Sequence, residues 1–312
     1  MPRIARDVTW LVGHTPLCAL DRFGQGLAGR LVAKLDARNP TASNKDRAVL
    51  AMVEHAERMG FLKPGTTIVE STAGDTGLAL AAICAVRGYR LVLTMPAGTA
   101  GGRANLLRAL GAEVVETEAA QGMRGAMEKA DQIQRANQPA LILQPFSNPA
   151  NARSHASGTA REIWEDTDGL VDVVVCPVGS GGTAAGCAQF FREVAPQVRV
   201  IGVEPSRSAV LSGGSAGAHG IPGIGAGFVP GILCVSNLHE VIRVDDGDAY
   251  AAARKLARSE GILGGPASGA VLAAAATIAA RSANAGKLIV AILPDHGERF
   301  GDHSCFACPE DA

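Results

Sequence analysis

The sequence predicts an α/β protein of two lobes, each a mostly parallel twisted sheet covered by helices. Three observations carry this. Short β-branched runs alternate with longer stretches of helical period along the whole chain, the pattern of a parallel sheet with helices on both faces. Two glycine-rich turns directly follow strand-like runs, at Ser71 and at Val178, and in such folds ligands bind at the carboxyl ends of strands. A polar stretch at 147–152, S-N-P-A-N-A, interrupts the pattern near mid-chain. It marks a boundary between a smaller N-terminal lobe over 1–150 and a larger C-terminal lobe over 151–312.

In order along the chain, the apolar runs predict strands over 67–71, 90–95, 112–117, 140–144, 172–178, 198–203 and 287–293. Helical periods predict a helix opening near Asp46, then helices over 76–87, 102–110, 123–137, 183–194, 249–259 and 270–281. The segment 213–227 is rich in glycine and has no period. It is expected as a long ordered loop over a site, since loops of that length are usually functional. A plain surface excursion is the alternative.

Bulk properties exclude several classes. Of 312 residues, 47% are hydrophobic, so the chain is not disordered. Basic and acidic residues number 29 and 30, so no basic face is advertised and nucleic acid is not an expected partner. The longest apolar runs, at 78–86 and 270–276, are far short of a membrane span, and no membrane partner is expected. The opening M-P-R-I-A-R-D-V-T-W has no apolar export signal, which suggests the cytoplasm. Seven cysteines without a signal read as reduced thiols.

Three stretches carry candidate chemistry. Gly179-Ser180-Gly181-Gly182-Thr183 follows the run V-D-V-V-V-C-P-V and opens a helix. Glycines let the backbone close on an anion, and a helix start offers N–H groups and a positive dipole end. This suits a phosphate. It also nearly fits a dinucleotide fingerprint, with Glu204 ending the next strand where a ribose-binding acid would stand. A tight turn without ligand remains a third reading. Lys45 lies in N-P-T-A-S-N-K-D-R, just before a helix. A cation is disfavoured at a helix N-terminus, which lowers the lysine pKa and suits a nucleophilic amine. A solvated surface lysine is the alternative. Glu70-Ser-Thr-Ala-Gly-Asp-Thr-Gly77 is another strand, turn and helix start. Its hydroxyls and N–H groups suit a carboxylate, while Asp75 or Thr76 could also cap the helix.

Taken together, these stretches resemble the cysteine synthase (O-acetylserine sulfhydrylase)/cystathionine β-synthase family of pyridoxal-phosphate (PLP) enzymes, with the tryptophan-synthase-β-like fold. Gly13-His-Thr-Pro-Leu17 is similar to its G-N-T-P-L, and 39–47 to its N-P-x-x-S-x-K-D-R. Thr72–Gly77 resembles the substrate loop T-S-G-N-T-G, Gln144–Asn151 resembles Q-Q-F-x-N-P-A-N, and 179–183 resembles G-[ST]-G-G-T. Glu162–Thr167, Gly202–Pro205, Gly223–Phe228 and Leu293–Arg299 complete an ordered series from about residue 10 to 300.

The resemblance implies the two-lobed PLP fold type II, with an early segment, about 14–37, crossing to the C-terminal lobe. It implies a homodimer with PLP in the cleft, and an amino-acid substrate. PLP is expected as an imine on Lys45, its phosphate on Gly179, Ser180, Gly181, Gly182 and Thr183, and its ring near Asp75, Ala267 and Ser268. Substrate contacts are expected from Thr72, Ala73, Gly74, Thr76, Pro145 and Gly225. The expected reaction replaces the leaving group of O-acetylserine or O-phosphoserine by sulfide, through an aminoacrylate, to give L-cysteine. A serine acetyltransferase-like peptide is a further partner the family implies; no metal is expected.

Four positions depart from the family pattern. Asp75 replaces an asparagine whose amide can donate to the PLP ring oxygen, which an ionised carboxylate cannot do. Pro145 replaces a glutamine that contacts substrate carboxylate. Ala267 replaces the serine at the pyridine nitrogen, with Ser268 one step along as a substitute. Ala73 replaces a substrate-loop serine. These touch cofactor electronics and carboxylate binding, not Lys45 or the phosphate turn. They open two alternatives: β-replacement with another nucleophile, giving 2,3-diaminopropionate or S-sulfocysteine, or a catalytically weak PLP-binding regulatory protein. The tail His303-Ser-Cys305-Phe-Ala-Cys308 carries a C-x-x-C, read as a redox or half-zinc pair or as two incidental thiols.

Overall fold

The computed structural model describes residues 4–72, 74–98 and 102–307. The strands are β1 (Leu17–Ala19), β2 (Arg30–Lys34), β3 (Thr67–Ser71), β4 (Arg90–Pro96), β5 (Glu113–Thr117), β6 (Ala140–Leu141), β7 (Val173–Pro177), β8 (Arg199–Pro205), β9 (Glu240–Val244) and β10 (Leu288–Ile292). The helices are α1 (Lys45–Arg58), α2 (Asp75–Arg87), α3 (Arg103–Ala109), α4 (Gly122–Ala136), α5 (Pro149–Ser154), α6 (Arg161–Asp166), α7 (Gly182–Val194), α8 (Asp246–Glu260) and α9 (Pro266–Ala279). A π-helical turn, His155–Ala160, joins α5 to α6.

The chain forms two compact units. One comprises the residues up to Val12 and Lys45–Asn151; the other comprises Gly13–Asn44 and the residues from Ala152 on. The first unit holds a four-stranded, wholly parallel sheet in the order β5-β4-β3-β6. Strand side chains alternate between faces. Ile68, Leu91 and Leu93 accordingly pack with Val49 and Met52 of α1 and Leu80 and Ile83 of α2. Val69 and Val92 pack on the other side with Ala130 of α4.

The second unit holds a six-stranded sheet in the order β1-β2-β10-β7-β8-β9, parallel except for the β1–β2 pair. Every residue of β7 is buried, as a central parallel strand requires. Val173 and Val175 join Ile289 and Val271 in one cluster, while Val174 and Cys176 join Val290 and Phe191 in the other. Helix α9 is alanine-rich and apolar all round, the mark of a buried helix. It approaches α8 closely at Gly269, where a Cβ would lie 2.1 Å from the Ala249 carbonyl oxygen.

The early segment joins the second sheet through polar anchors. Asn39 Oδ1 accepts from Gly13 N (2.8 Å), and Thr15 Oγ1 donates to Asp36 Oδ1 (2.9 Å). Lys34 is fully buried, donates to the Thr15 carbonyl (2.6 Å), and pairs with Glu162 (2.9 Å) and Asp166 (3.2 Å). The G-H-T-P-L and N-P motifs therefore have a structural role here. Among the described residues no helix is long and apolar enough to cross a membrane.

Candidate active site

The turn after β7 is built for a close approach. Val178 N still donates to the Val203 carbonyl (3.2 Å), and the chain then turns at 179–181. A Cβ on Gly179 would lie 2.2 Å from the Gly223 carbonyl oxygen, so only glycine fits. Gly181 is left-handed, at φ +85°. Helix α7 opens at Gly182, and its N-cap, Gly181, has no side chain to cap it. Its first N–H groups and the buried Thr183 hydroxyl thus meet at one helix end, an anion-binding arrangement. The glycine-rich loop 213–227 lies against this turn: Gly225, at φ +67°, donates its N–H to the Val178 carbonyl (3.0 Å).

Lys45 is the first residue of α1 and is half-buried. The residue before it, Asn44, is buried, donates its backbone N–H to the Pro294 carbonyl (3.0 Å), and donates from Nδ2 to Thr183 Oγ1 (3.1 Å). The two motifs read separately from the sequence are thereby linked through one hydrogen bond. Lys34, by contrast, is fully buried and paired with the carboxylates of Glu162 and Asp166.

The second turn follows β3. Thr72 is buried; its N–H donates to the Thr94 carbonyl (3.0 Å) and its Oγ1 accepts from Gly74 N (3.1 Å). Gly74, not Asp75 or Thr76, occupies the N-cap position of α2. Both lie in its first turn, half-buried. Ala73 lies outside the described residues. In the same unit Gln144 turns the chain at φ +55°, and the Pro145 carbonyl accepts from Asn151 Nδ2 (2.7 Å).

At the start of α9, Ala267 is buried and Pro266 takes the first helical position. Asp295, just past β10, accepts from Ala267 N (3.1 Å) and Ser268 N (2.8 Å). The Ser268 hydroxyl also bonds to it, 2.5 Å from Oδ1. Ser268 is therefore engaged with Asp295 rather than presented to a ring nitrogen. Glu204 is likewise committed: it is buried and accepts from Leu211 N (2.8 Å), Ser212 N (3.1 Å) and Ser212 Oγ (2.6 Å). Both carboxylate oxygens are thus engaged with the 211–212 segment, which counts against the dinucleotide reading.

Sequence reasoning missed Glu70, His155 and Asp295. Glu70 is the one acid in the buried run T-I-V-E, and that was its only signal. Ser71 N donates to its Oε1 (3.2 Å), the backbone at Leu143 and Gln144 also donates to it, and Oε2 has no partner. Burial pushes its pKa up to about 7 against those hydrogen bonds. Cys176 and Cys187 are buried core thiols beside the turn, and burial pushes Cys176 well up. Cys305 is buried and Cys308 lies outside the described residues.

A strand–glycine turn–helix suited to an anion, its Thr183 bonded to the residue that precedes a lysine at a helix start, points to a class: α/β enzymes that hold a phosphorylated aldehyde cofactor. The family model described as pyridoxal-phosphate dependent enzyme matches residues 8–295. Cysteine synthase A of Salmonella typhi is 44% identical over 316 residues, covering 98% of this chain and 97% of that protein. The crystal structure of a cysteine synthase from Entamoeba histolytica superposes with a TM-score of 0.96 at 39% identity, covering 100% of this chain and 93% of the other. A hydrogen sulfide-producing enzyme from Fusobacterium nucleatum superposes at 0.90 and 36% identity, covering 95% and 100%. The chain belongs to the pyridoxal-phosphate dependent enzyme family and is a PLP-dependent enzyme of fold type II.

Proposed function

We propose that this enzyme makes L-cysteine from O-acetylserine or O-phosphoserine and sulfide by PLP-dependent β-replacement. The observation that carries the reading is the hydrogen bond from Asn44 to Thr183, which ties the residue before Lys45 to the phosphate turn. Identity of 44% to a cysteine synthase over nearly the whole chain supports the substrate class.

Lys45 would hold the cofactor through its amine, and the turn 179–183 would hold the phosphate. The turn fits that group: its backbone excludes any Cβ at Gly179, and the N-cap of its helix is a glycine. When bound, PLP supplies an electron sink for charge at the substrate α-carbon. Once the substrate amine has displaced it from the cofactor, the freed Lys45 amine would be the base that takes the α-proton. Thr72 and Thr76, with the N–H groups at the start of α2, orient the substrate carboxylate, and Gly74 and Gly225 leave room for it. By the family resemblance, Asp75 and the Ala267–Ser268 turn would be the residues near its ring. Departure of acetate or phosphate from the β-carbon then leaves that carbon open to sulfide.

A second reading keeps the enzyme and changes the nucleophile, giving 2,3-diaminopropionate or S-sulfocysteine. Pro145 and Asp75 favour it, since neither supplies the amide donor that the resemblance leads one to expect. A homodimer in the cytoplasm belongs to the same proposal; the six described thiols are all free, as a reducing compartment keeps them. A serine acetyltransferase-like peptide partner comes from the family resemblance. The test is spectral. Purified protein should be yellow, change its visible spectrum with O-acetylserine or O-phosphoserine, and release cysteine on adding sulfide, with Lys45→Ala losing the spectrum. A spectral response to an activated serine without cysteine selects the second reading. No response to any activated serine contradicts both.

A further inference from the structure

We infer that Glu70 is a positioning residue whose buried carboxyl group holds the turn at 143–145 beside the turn at 72–77 and so sets the site for the substrate carboxylate. The inference deepens the proposed function and rests on its reading of those turns as the substrate site.

The two turns follow neighbouring parallel strands, β3 and β6, at the carboxyl ends where such sheets bind ligands. The backbone ladder between these strands is short. It pairs Thr67 with Ala140 and Ile68 with Leu141, and stops there. β3 runs on to Ser71, whereas the other chain leaves the ladder after Leu141 and turns through Gln144 at φ +55°. A backbone N–H that leaves a ladder inside the protein needs another acceptor. Glu70 is that acceptor. The N–H groups of Leu143 and Gln144 donate to its carboxyl group, as does Ser71 N at 3.2 Å. Strand alternation puts Glu70 on the face of β3 that carries Ile68, and Leu143 packs in the same cluster as Ile68. The carboxyl group and the incoming backbone therefore meet on one side of the sheet.

An acid is a costly residue here. Glu70 is 4% exposed, and its Oε2 has no hydrogen-bond partner. An apolar side chain would suit the core better, but it would leave the N–H groups of Leu143 and Gln144 without this acceptor. Each turn is also braced internally. Thr72 N donates to the Thr94 carbonyl, and Gly74 N to Thr72 Oγ1. On the other side the Gln144 carbonyl accepts from Ser147 N (3.0 Å) and Asn148 N (2.9 Å), and Asn148 Nδ2 donates to the Leu143 carbonyl (2.9 Å). Glu70 bridges two braced turns, so its bonds fix their spacing more than their shapes. Spacing matters in this chain because Pro145 has no donor of its own. What the second turn offers a carboxylate depends on where its backbone is held.

The experiment compares the first half of the reaction with cofactor binding. In Glu70→Leu, kcat/KM for O-acetylserine or O-phosphoserine should fall roughly tenfold, while the PLP dissociation constant of the apoprotein stays within about twofold. Glu70→Gln, whose side-chain carbonyl still accepts, should recover most of the loss. Amide exchange should show faster exchange at Leu143 and Gln144 in Glu70→Leu than in wild type. Should Glu70→Leu fail to fold by circular dichroism, Glu70→Asp tests the same point, since one methylene less draws the oxygens back from the 143–144 backbone; kcat/KM should fall severalfold. An unchanged kcat/KM, an equal loss of PLP affinity, or a glutamine variant no better than leucine would overturn the inference. If wild type turns over neither activated serine, the proposed function falls by itself. Amide exchange then decides the role of Glu70, and unchanged exchange at Leu143 and Gln144 in the variant overturns it too.

Discussion

Replacing Glu70 by glutamine should make the enzyme's stability less sensitive to pH. The carboxyl is buried and Oε2 has no partner, so desolvation raises its pKa from 4.5 to about 7. The folded state therefore keeps a proton that the unfolded chain releases near pH 4.5. Stability from this group is fully present below about pH 4.5 and falls as pH rises toward 7; above that the loss is constant. Between pH 5 and pH 8 the loss is roughly 2–3 kcal/mol, because each pH unit between the two pKa values costs about 1.4 kcal/mol. Glu70→Gln has nothing to titrate, and its side-chain carbonyl can still accept from the Ser71, Leu143 and Gln144 backbone. The assay is urea unfolding of wild type and variant at both pH values. The variant should gain roughly 2–3 kcal/mol on wild type between pH 5 and pH 8. Other titrating groups cancel in that comparison. A difference that does not change with pH would refute the argument, as would one that moves toward wild type at pH 8.

Gly179→Ala should weaken PLP binding at least about tenfold, since its Cβ would lie 2.2 Å from a backbone oxygen and the turn must open; absorbance titration of apoprotein reads this. Lys34→Leu should destabilise the second unit by about 3 kcal/mol, because Glu162 and Asp166 lose their buried cation; a urea midpoint close to wild type would contradict the pairing. Asp75→Asn should tighten PLP roughly fivefold by supplying one donor, measured by the same titration.

The parallel architecture was legible where burial is uniform. β3 is the run expected over 67–71, and the runs expected over 172–178 and 287–293 contain β7 and β10. β2 was missed because it begins with arginine and ends with lysine. Its lysine is buried because it pairs with carboxylates more than 120 residues away, which no local pattern reveals. The run expected over 140–144 forms only Ala140–Leu141, because Asn148 Nδ2 takes the Leu143 carbonyl (2.9 Å) and Gln144 turns the chain. The polar stretch 147–152 is helical from Pro149 on. Around the site, the turn at 179–183 could be read from glycine spacing, since a positive φ and a close backbone approach have few other solutions. Glu70, His155 and Asp295 could not, because their roles come from partners that the sheets bring near. Asp295 caps α9 from 27 residues downstream; His155 reaches Thr183 from 28 upstream.

The central claim is that the amine of Lys45 carries the cofactor. Borohydride reduction of the yellow enzyme, followed by peptide mass mapping, tests it directly. The reading predicts a single pyridoxyl group on the peptide containing Lys45, and none on the other five lysines. A pyridoxyl group on any other lysine, or none at all, would contradict it.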